Sequence, residues 1–171
     1  RPDAWQSFGL RGETVLNLAV TSIEGGATGD EAQADHLLYA QTATGLWRRR
    51  VSGGAPPVGH GVEAGEWQRI DEGLPGARRL RLTGPAVVAW RTVPGRSQQL
   101  FALTGEPTAR QIYRSDDGGA SWRYIGPAAG QTSRPAMAVL PGAAGAPDTV
   151  MVAAETRLWR SFDGGATWAP G

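Results

Sequence analysis

Two segments of the chain have nearly the same sequence. Residues 113–122 read Tyr-Arg-Ser-Asp-Asp-Gly-Gly-Ala-Ser-Trp, and residues 159–168 read Trp-Arg-Ser-Phe-Asp-Gly-Gly-Ala-Thr-Trp. The first segment begins at Tyr113 and the second at Trp159, 46 residues later. A motif that returns at such a spacing indicates one supersecondary unit used repeatedly. The chain is therefore predicted to fold as an array of similar units.

Strand candidates recur in three sets of four. Each candidate is a short apolar run bounded by Gly, Pro, Asp or Ser, and no helical periodicity is present. The first set covers residues 14–20, 36–42, 45–51 and 66–70; the second covers 87–90, 100–104, 111–114 and 122–125; the third covers 136–140, 150–154, 158–160 and 168–170. This pattern predicts an all-β fold built from four-stranded antiparallel units.

The sets divide the chain into units. Residues 1–10 resemble the fourth strand of a unit and are predicted to be the outer strand of a preceding one; the complete units are 11–75, 76–126 and 127–171. In the first unit the hairpin motif is degenerate, because Arg49 and Val51 stand where Ser and Asp belong. Residues 52–65 form a Gly- and Pro-rich insertion there, which predicts a long and variable loop.

An alignment of the three units makes their aromatic residues equivalent. One equivalent set is Trp47, Tyr113 and Trp159, and another is Trp67, Trp122 and Trp168. In the second strands, the same alignment places Tyr39, Ala102 and Ala153 at equivalent positions. Because an array of three units leaves its end faces open, Val150, Val152 and Leu158 are predicted to lie at or near the open apolar face of the third unit.

The residue types of the repeated motif favour a tight hairpin. An Asp side chain accepts hydrogen bonds from backbone N–H groups two residues further on, and Gly-Gly allows positive φ without a Cβ clash. A Ser or Thr hydroxyl can close the turn, and the Trp begins the next strand. We therefore predict that Asp117 and Asp163 accept backbone hydrogen bonds within their own hairpins and contact no ligand.

The pattern Ser-x-Asp-x-Gly-x-Ser/Thr-Trp resembles the Asp box, or BNR repeat, of sialidases, sortilin-type receptors, some endoglucanases and photosystem assembly factors. The matching residues are Ser115, Asp117, Gly119, Ser121 and Trp122 in one copy and Ser161, Asp163, Gly165, Thr167 and Trp168 in the other. The resemblance implies a β-propeller in which this hairpin joins the third and fourth strands of a blade. It also implies a structural role on the outer rim, away from any active site.

Three blades and one outer strand make only a partial ring, because propellers usually close with four to eight blades. The arc is expected to leave two apolar end faces, which a monomer rarely exposes. Three explanations remain open: the arc belongs to a longer propeller, several copies complete a ring, or a different chain completes it.

Sialidase chemistry requires an Arg triad, a Tyr–Glu pair and an Asp acid/base, and the chain has no Arg-Ile-Pro motif. Tyr39, Tyr113 and Tyr124 lie inside strand candidates, the latter two toward the rim. Asp71 and Glu72 are the nearest approach to paired carboxylates, but they stand in a turn where solvation is expected. No catalytic residue is therefore assigned.

Cofactor and metal sites are not predicted either. The only histidines are His36, which opens a strand, and His60, in the insertion, and neither has a spaced metal-binding partner. The paired glycines of the hairpins lack the strand, Lys and helix of a phosphate-binding loop.

Arginines are concentrated in the loops of one predicted face. Loops between units and between middle strands would meet opposite the hairpins, forming a candidate anion- or protein-binding face of Arg11, Arg78, Arg79, Arg81, Arg110, Arg134 and Arg157. All seventeen basic residues are Arg, so some clustering is expected without a dedicated site. The net charge of +1 gives no reason to expect nucleic acid or a membrane as partner.

The resulting hypothesis is a non-catalytic propeller module that binds a protein partner or further blades, as photosystem assembly factors and sortilin-like receptors do. The alternative is a carbohydrate-active protein, either a glycosidase or a sugar-binding arc. An exposed Trp near the axis would favour sugar, and Trp90 is the only inner-strand Trp. The absence of Lys beside many Gly, Pro and Ala indicates the coding bias of a GC-rich genome. The twelve Pro and the single Asn fit a thermophilic, bacterial source, and an extracytoplasmic location is expected.

Overall fold

The computed structural model describes residues 9–23, 35–51, 66–74, 87–93, 96–104, 110–129, 136–143, 145–154 and 157–171. Within these ranges the chain is all-β, with three four-stranded antiparallel sheets, each following the order of the chain. This confirms the predicted fold class. The described part of the chain contains no helix long and apolar enough to cross a membrane.

Each sheet consists of four consecutive strands. Sheet 1 contains β1 (Val15–Ser22), β2 (His36–Thr42), β3 (Leu46–Val51) and β4 (Gln68–Arg69). Sheet 2 contains β5 (Val87–Val93), β6 (Arg96–Thr104), β7 (Arg110–Ser115) and β8 (Arg123–Ala129). Sheet 3 contains β9 (Ala136–Leu140), β10 (Thr149–Ala154), β11 (Arg157–Ser161) and β12 (Ala169–Pro170).

The twelve strands correspond to the twelve candidates from the sequence. β6 begins earlier than predicted, at Arg96, and β8 continues to Ala129, past the predicted unit boundary at residue 126. The predicted outer strand of a preceding unit lies outside the described residues except for Gly9 and Leu10, and so does the whole insertion at 52–65.

The strand register shifts the predicted alignment of the second strands by one residue in sheet 2 and by two residues in sheet 3. The residues paired with Arg48, Arg114 and Arg160 are Tyr39, Phe101 and Met151 respectively. Tyr39 is therefore equivalent to Phe101 and Met151, not to Ala102 and Ala153. The alignment was wrong because a continuous apolar run does not reveal which of its residues share a face, and a slip of one residue reverses the face.

The apolar core lies between consecutive sheets. Sheets 1 and 2 enclose a first core of Leu37, Tyr39, Leu46, Ile70, Leu74, Trp90, Leu100, Ala102 and Tyr113. Sheets 2 and 3 enclose a second core of Val93, Phe101, Leu103, Ile112, Ile125, Met137, Val150 and Val152. Strand β6 contributes alternate residues to the two cores because successive side chains of a strand point to opposite faces. The sheets are thus stacked in chain order, as in a partial propeller.

The prediction for the open face of the third sheet was partly wrong. Val150 and Val152 are fully buried in the core shared with sheet 2. Leu158 is 42% exposed, as expected for a residue on an uncovered face. The two valines share one face of β10, and that face turns toward sheet 2, so only the opposite face of sheet 3 remains open.

Strand β1 is exposed at the other end of the stack. Val15, Leu16, Leu18 and Val20 have 47–63% of their surface accessible. Leu18 and Val20 alternate with Ala19, which packs against the first core, so they lie on the face of sheet 1 turned away from sheet 2.

Candidate functional site

The first repeated hairpin, residues 115–122, is closed by hydrogen bonds among its own side chains and backbone. The Ser115 hydroxyl donates to Asp117 Oδ1 at 2.7 Å and accepts from the N–H of Gly119 at 2.8 Å. Asp117 accepts from the N–H of Ser121 at 2.9 Å and from its hydroxyl at 2.5 Å. These bonds connect the two ends of the turn and fix its shape.

The second hairpin, residues 161–168, repeats the same bonds. Ser161 donates to Asp163 at 2.7 Å and accepts from the N–H of Gly165 at 2.8 Å. Asp163 accepts from the N–H of Thr167 at 2.8 Å and from its hydroxyl at 2.5 Å. The prediction that both Asp residues accept backbone hydrogen bonds within their own hairpins is confirmed, although the donor lies four residues on rather than two. Asp117 N–H instead approaches the Ser115 hydroxyl, at 3.3 Å.

Both hairpin carboxyl groups are held in the ionised form. Burial acts to raise the pKa of Asp117, but hydrogen bonds from Ser121, Ser115 and the Ala120 N–H outweigh it and lower that pKa to about 2. The hydroxyl and N–H of Thr167, followed by Ser161, lower the pKa of Asp163. A carboxyl group with such a low pKa carries no proton to donate near neutral pH, so these residues are unsuited to general acid catalysis.

The hairpin of sheet 2 also contacts sheet 1. Arg48 Nη1 donates to the carbonyl of Gly118 at 3.0 Å, and Trp122 Nε1 donates to the carbonyl of Ile70 at 2.7 Å. Gly119 lies against Ile70 so closely that an added Cβ would be 2.7 Å from the isoleucine Cβ. We call this set of three contacts a joint.

Sheets 2 and 3 are connected by a second joint of the same composition. Arg114 Nη1 donates to the carbonyl of Gly164 at 3.3 Å, and Trp168 Nε1 donates to the carbonyl of Ile125 at 2.6 Å. An added Cβ on Gly165 would be 2.5 Å from Ile125 Cδ1. The hairpins therefore connect neighbouring sheets as well as closing their own turns, a role that the sequence interpretation missed.

A signal for the joint was present in the sequence. An arginine follows the equivalent aromatic residue in the third strand of each unit, as Arg48, Arg114 and Arg160. The repetition was noted as part of the motif, but no partner for the arginine was proposed. Its acceptor lies in the next unit, 70 residues away for Arg48, and a local reading of the motif does not reach that far.

The candidate catalytic side chains do not form a site. Tyr39 and Tyr113 are buried in the first core, whereas Tyr124 is exposed. The position of Tyr113 and Tyr124 toward the rim stays a prediction. Asp71 is fully buried rather than solvated, and it accepts from Arg69 Nε at 2.7 Å. Glu72 is exposed in the same turn. The turn buries Asp71 because the Arg69 guanidinium compensates its charge.

The predicted arginine face is only partly described. Arg78, Arg79, Arg81 and Arg134 lie outside the described residues. Arg11 and Arg157 are exposed. Arg110 is 5% exposed, and its Nε and Nη1 have no hydrogen-bond partner among the described residues. Burial lowers the pKa of Arg110. It begins β7 rather than standing in a loop, so its assignment to an exposed binding face was wrong.

A polar groove of about 450 Å³ opens beside the first joint, lined by Ile23, Leu37, Arg48, Arg50, Glu66, Gln68, Gln98 and Asp117. Most of its charged groups are already paired. Arg48 Nη2 donates to Gln68 Oε1 at 3.0 Å, and Arg50 forms an ion pair with Asp35. No group of three or more His, Asp or Glu residues arranged to hold a metal occurs in the described part of the chain. His36 lies half-buried at the start of β2, and His60 is outside the described residues.

Comparisons with known proteins do not assign the chain to a family. A scan against models of protein families and a search of curated proteins found no match. The geometry of the joints and of the open sheet faces is therefore the basis on which a function can be proposed.

Proposed function

We propose that this chain is a non-catalytic β-propeller module that binds another protein or further blades and so assembles a complex. The observation that carries the proposal is the exposed apolar face of β1. Leu16, Leu18 and Val20 occur at alternate positions, with 55–63% of their surface exposed. Contiguous apolar surface of this kind is characteristic of interaction sites in soluble proteins.

The hairpins support the propeller part of the proposal. Their hydrogen bonds use the Ser, Asp, Gly and Ser/Thr positions of the Asp box, and we interpret both hairpins as Asp boxes. The joints that they form, with a Trp indole bonded to a carbonyl of the preceding sheet, are suited to a repeated array in which each unit contacts its neighbours.

The carbohydrate-active alternative lacks a supporting observation. Trp90, the inner-strand indole that could have stacked on a sugar ring, is 2% exposed and packs against Tyr39 in the first core. Most described carboxylates with assigned partners serve the hairpins or pair with arginine, as Asp163 and Asp71 do, and Glu13 accepts from the Thr44 hydroxyl at 2.6 Å. We therefore keep the assembly function as the single proposal.

Sedimentation of the purified full chain, combined with binding of a fluorescent hydrophobic dye, tests the proposal. We expect self-association or strong dye binding, because the β1 face gains free energy when it is covered. The double variant Leu16→Gln with Leu18→Gln should reduce both signals, whereas Tyr124→Gln, at a similarly exposed residue on sheet 2, should leave them unchanged. A folded monomer that binds no dye would contradict the proposal.

A further inference from the structure

Sheet 3 carries the receiving half of a joint on its open face. In sheets 1 and 2 the receiving arginine, Arg48 or Arg114, stands opposite an apolar residue of the second strand of the sheet. Arg160 occupies the same register position in sheet 3, opposite Met151. The apolar neighbour of the arginine two residues earlier is Leu46 in β3, Ile112 in β7 and Leu158 in β11.

These equivalent positions differ in what covers them. Leu46 and Ile112 are fully buried by the next sheet, whereas Leu158 is 42% exposed. Arg48 and Arg114 donate to a glycine carbonyl of the next sheet. Among the described residues, the Arg160 guanidinium contacts only the Phe162 ring, at 5.2 Å from the ring centre. A donor that is used in both joints is therefore unused on this face.

The backbone of the receiving half is also in place. The N–H of Gly171 donates to the carbonyl of Leu158 at 2.6 Å, as the N–H of Ile70 donates to the carbonyl of Leu46 at 2.9 Å. Gly171 thus stands at the register position whose carbonyl accepts the Trp indole in the two joints. It differs from Ile70 and Ile125 in having no side chain, so the apolar contact on this face falls mainly to Leu158.

We infer that the open face of sheet 3 is a docking surface for a further four-stranded sheet with a Gly-Gly-x-Ser/Thr-Trp hairpin. The first glycine of that hairpin would accept from Arg160, its indole would donate to the carbonyl of Gly171, and its sheet would cover Leu158. The inference rests on the proposed assembly function and adds to it the chemistry of the partner and the residues that receive it.

A second copy of this chain is not the expected occupant. The two Gly-Gly hairpins of a copy already contact sheets 1 and 2 of that copy. The other exposed end of a copy is sheet 1, where Arg49 and Val51 replace the Ser and Asp of the motif. The partner is therefore a different sheet that carries its own intact hairpin.

The absence of cysteine from the chain allows a direct test. We would introduce Leu158→Cys and measure the rate of thiol labelling in the full chain, alone and with a second copy of residues 127–171 appended after Gly171. The appended repeat supplies a Gly-Gly hairpin, so labelling should slow by at least about tenfold, the protection expected when a site reacts only through local opening. Tyr124→Cys, exposed on sheet 2, should be labelled at the same rate in both.

Further variants test the contacts themselves. Adding Arg160→Ala to the extended chain should restore most of the fast labelling, and so should replacing the last Trp of the appended hairpin by Phe. The control Arg123→Ala, at an exposed arginine of sheet 2, should have no effect. If Leu158→Cys prevents folding, Phe162→Cys provides a second exposed thiol beside Arg160.

Two results with the extended chain would overturn the inference. One is unchanged labelling in the extended chain, and the other is protection that Arg160→Ala does not reduce. Protection in the unextended chain that increases with its concentration would identify a second copy as the occupant and would equally reject the proposed partner. The proposed function is tested separately, by sedimentation of the unextended chain, so the two ideas can fail independently.

Discussion

The two joints have the same hairpin contacts but different cores beside them. Between sheets 1 and 2 the core contains the aromatic residues Tyr39, Trp90 and Tyr113, and the rings of the first two are 5.9 Å apart. Between sheets 2 and 3 the core is mainly aliphatic, with Phe101 as its buried aromatic residue. An ion pair between Arg96 and Asp148 also crosses the second joint, at 3.2 Å.

The comparison separates what positions the sheets from what fills the space between them. The recurring hydrogen bonds are directed at backbone carbonyl groups, and the recurring glycine contact uses one isoleucine of each core, Ile70 or Ile125, so the joint does not depend on the other core side chains. The core residues can then change from aromatic to aliphatic while the geometry of the joint is kept. For a residue that fills the core between two sheets, suitable volume and apolar character are sufficient.

The largest expected effect concerns the glycines of the joints. Gly119 has φ of +92° and a Cβ there would be 2.7 Å from Ile70 Cβ, which cannot move without its backbone. Gly119→Ala should therefore lower the free energy of unfolding by about 3 kcal/mol, from backbone strain and overpacking together. Gly165→Ala should cost less, about 2 kcal/mol, because its nearest contact is the mobile Cδ1 of Ile125.

Gly145→Ala provides the matched control for this prediction in urea unfolding. Gly145 also has positive φ, +81°, but no atom lies within 4 Å of its added Cβ. Its substitution should cost about 1 kcal/mol, the conformational part alone. If Gly119→Ala costs no more than Gly145→Ala, the close approach at the joint does not contribute to stability.

The second prediction addresses the ion pair between Arg96 and Asp148, which connects sheets 2 and 3 and has no counterpart between sheets 1 and 2 among the described residues. Asp148 is fully buried and accepts from the N–H of Gly142 at 3.2 Å in addition to Arg96. Arg96→Ala leaves a buried carboxylate without its charged partner and should cost about 2–3 kcal/mol, below the value for a fully buried pair because Arg96 is partly exposed. Arg50→Ala, in the exposed pair with Asp35, should cost less than about 0.5 kcal/mol. Equal losses in chemical denaturation would show that burial of Asp148 is unimportant.

The third prediction uses Tyr39, which lies in the first core. Burial raises the pKa of Tyr39 to about 12, although the positive charge of Arg48 acts to lower it. In the unfolded chain this phenol ionises near pH 10. The contribution of the buried, neutral phenol to the free energy of unfolding is therefore fully present below that pH and is lost as the pH rises toward 12. The loss should reach about 2 kcal/mol, since each pKa unit corresponds to about 1.4 kcal/mol. Between pH 9 and pH 11.5, the free energy of unfolding should fall less for Tyr39→Phe than for the natural chain. An equal fall in both proteins would contradict the prediction.

The fold could be predicted from the sequence to the level of strands and units. The repeat and the short apolar runs located all twelve strands, because both signals are local. The register of the second strands could not be derived in this way. Residues 150–154 are apolar without alternation, and only packing against sheet 2 decides that Val150 and Val152 face inward.

The site was less predictable because its contacts are long-range. The presence of backbone hydrogen bonds to Asp117 and Asp163 followed from the residue types of the motif, although the donors lie four residues on rather than two. The bond from Trp122 to Ile70 spans 52 residues, and nothing in the local sequence names Ile70 as the acceptor. Arg110 was predicted to lie in a loop because the apolar strand candidate begins at residue 111, whereas β7 begins at Arg110, pairs it with Ala129 and buries it.

The smallest expected effect should be the same at both joints, because it concerns the shared hairpin. Burial alone would raise the pKa of Asp117, but hydrogen bonds from Ser121 and Ser115 outweigh this effect. The resulting pKa is about 2, below the ordinary value of 3.8. A lowered folded pKa stabilises the protein above pH 4, and this contribution is lost as the pH falls from about 4 to about 2. Screening by solvent should keep it below about 1 kcal/mol for Asp117. Asp163 should behave in the same direction, since its pKa is also lowered, by the hydroxyl and N–H of Thr167.

Urea unfolding at pH 5 and pH 2.5 tests this prediction. The acid loss, meaning the fall in free energy of unfolding between these pH values, should be larger for the natural chain than for Asp117→Asn or Asp163→Asn. If one variant reduces the acid loss and the other does not, the two hairpins are not energetically equivalent, and the similarity of the joints is limited to their geometry.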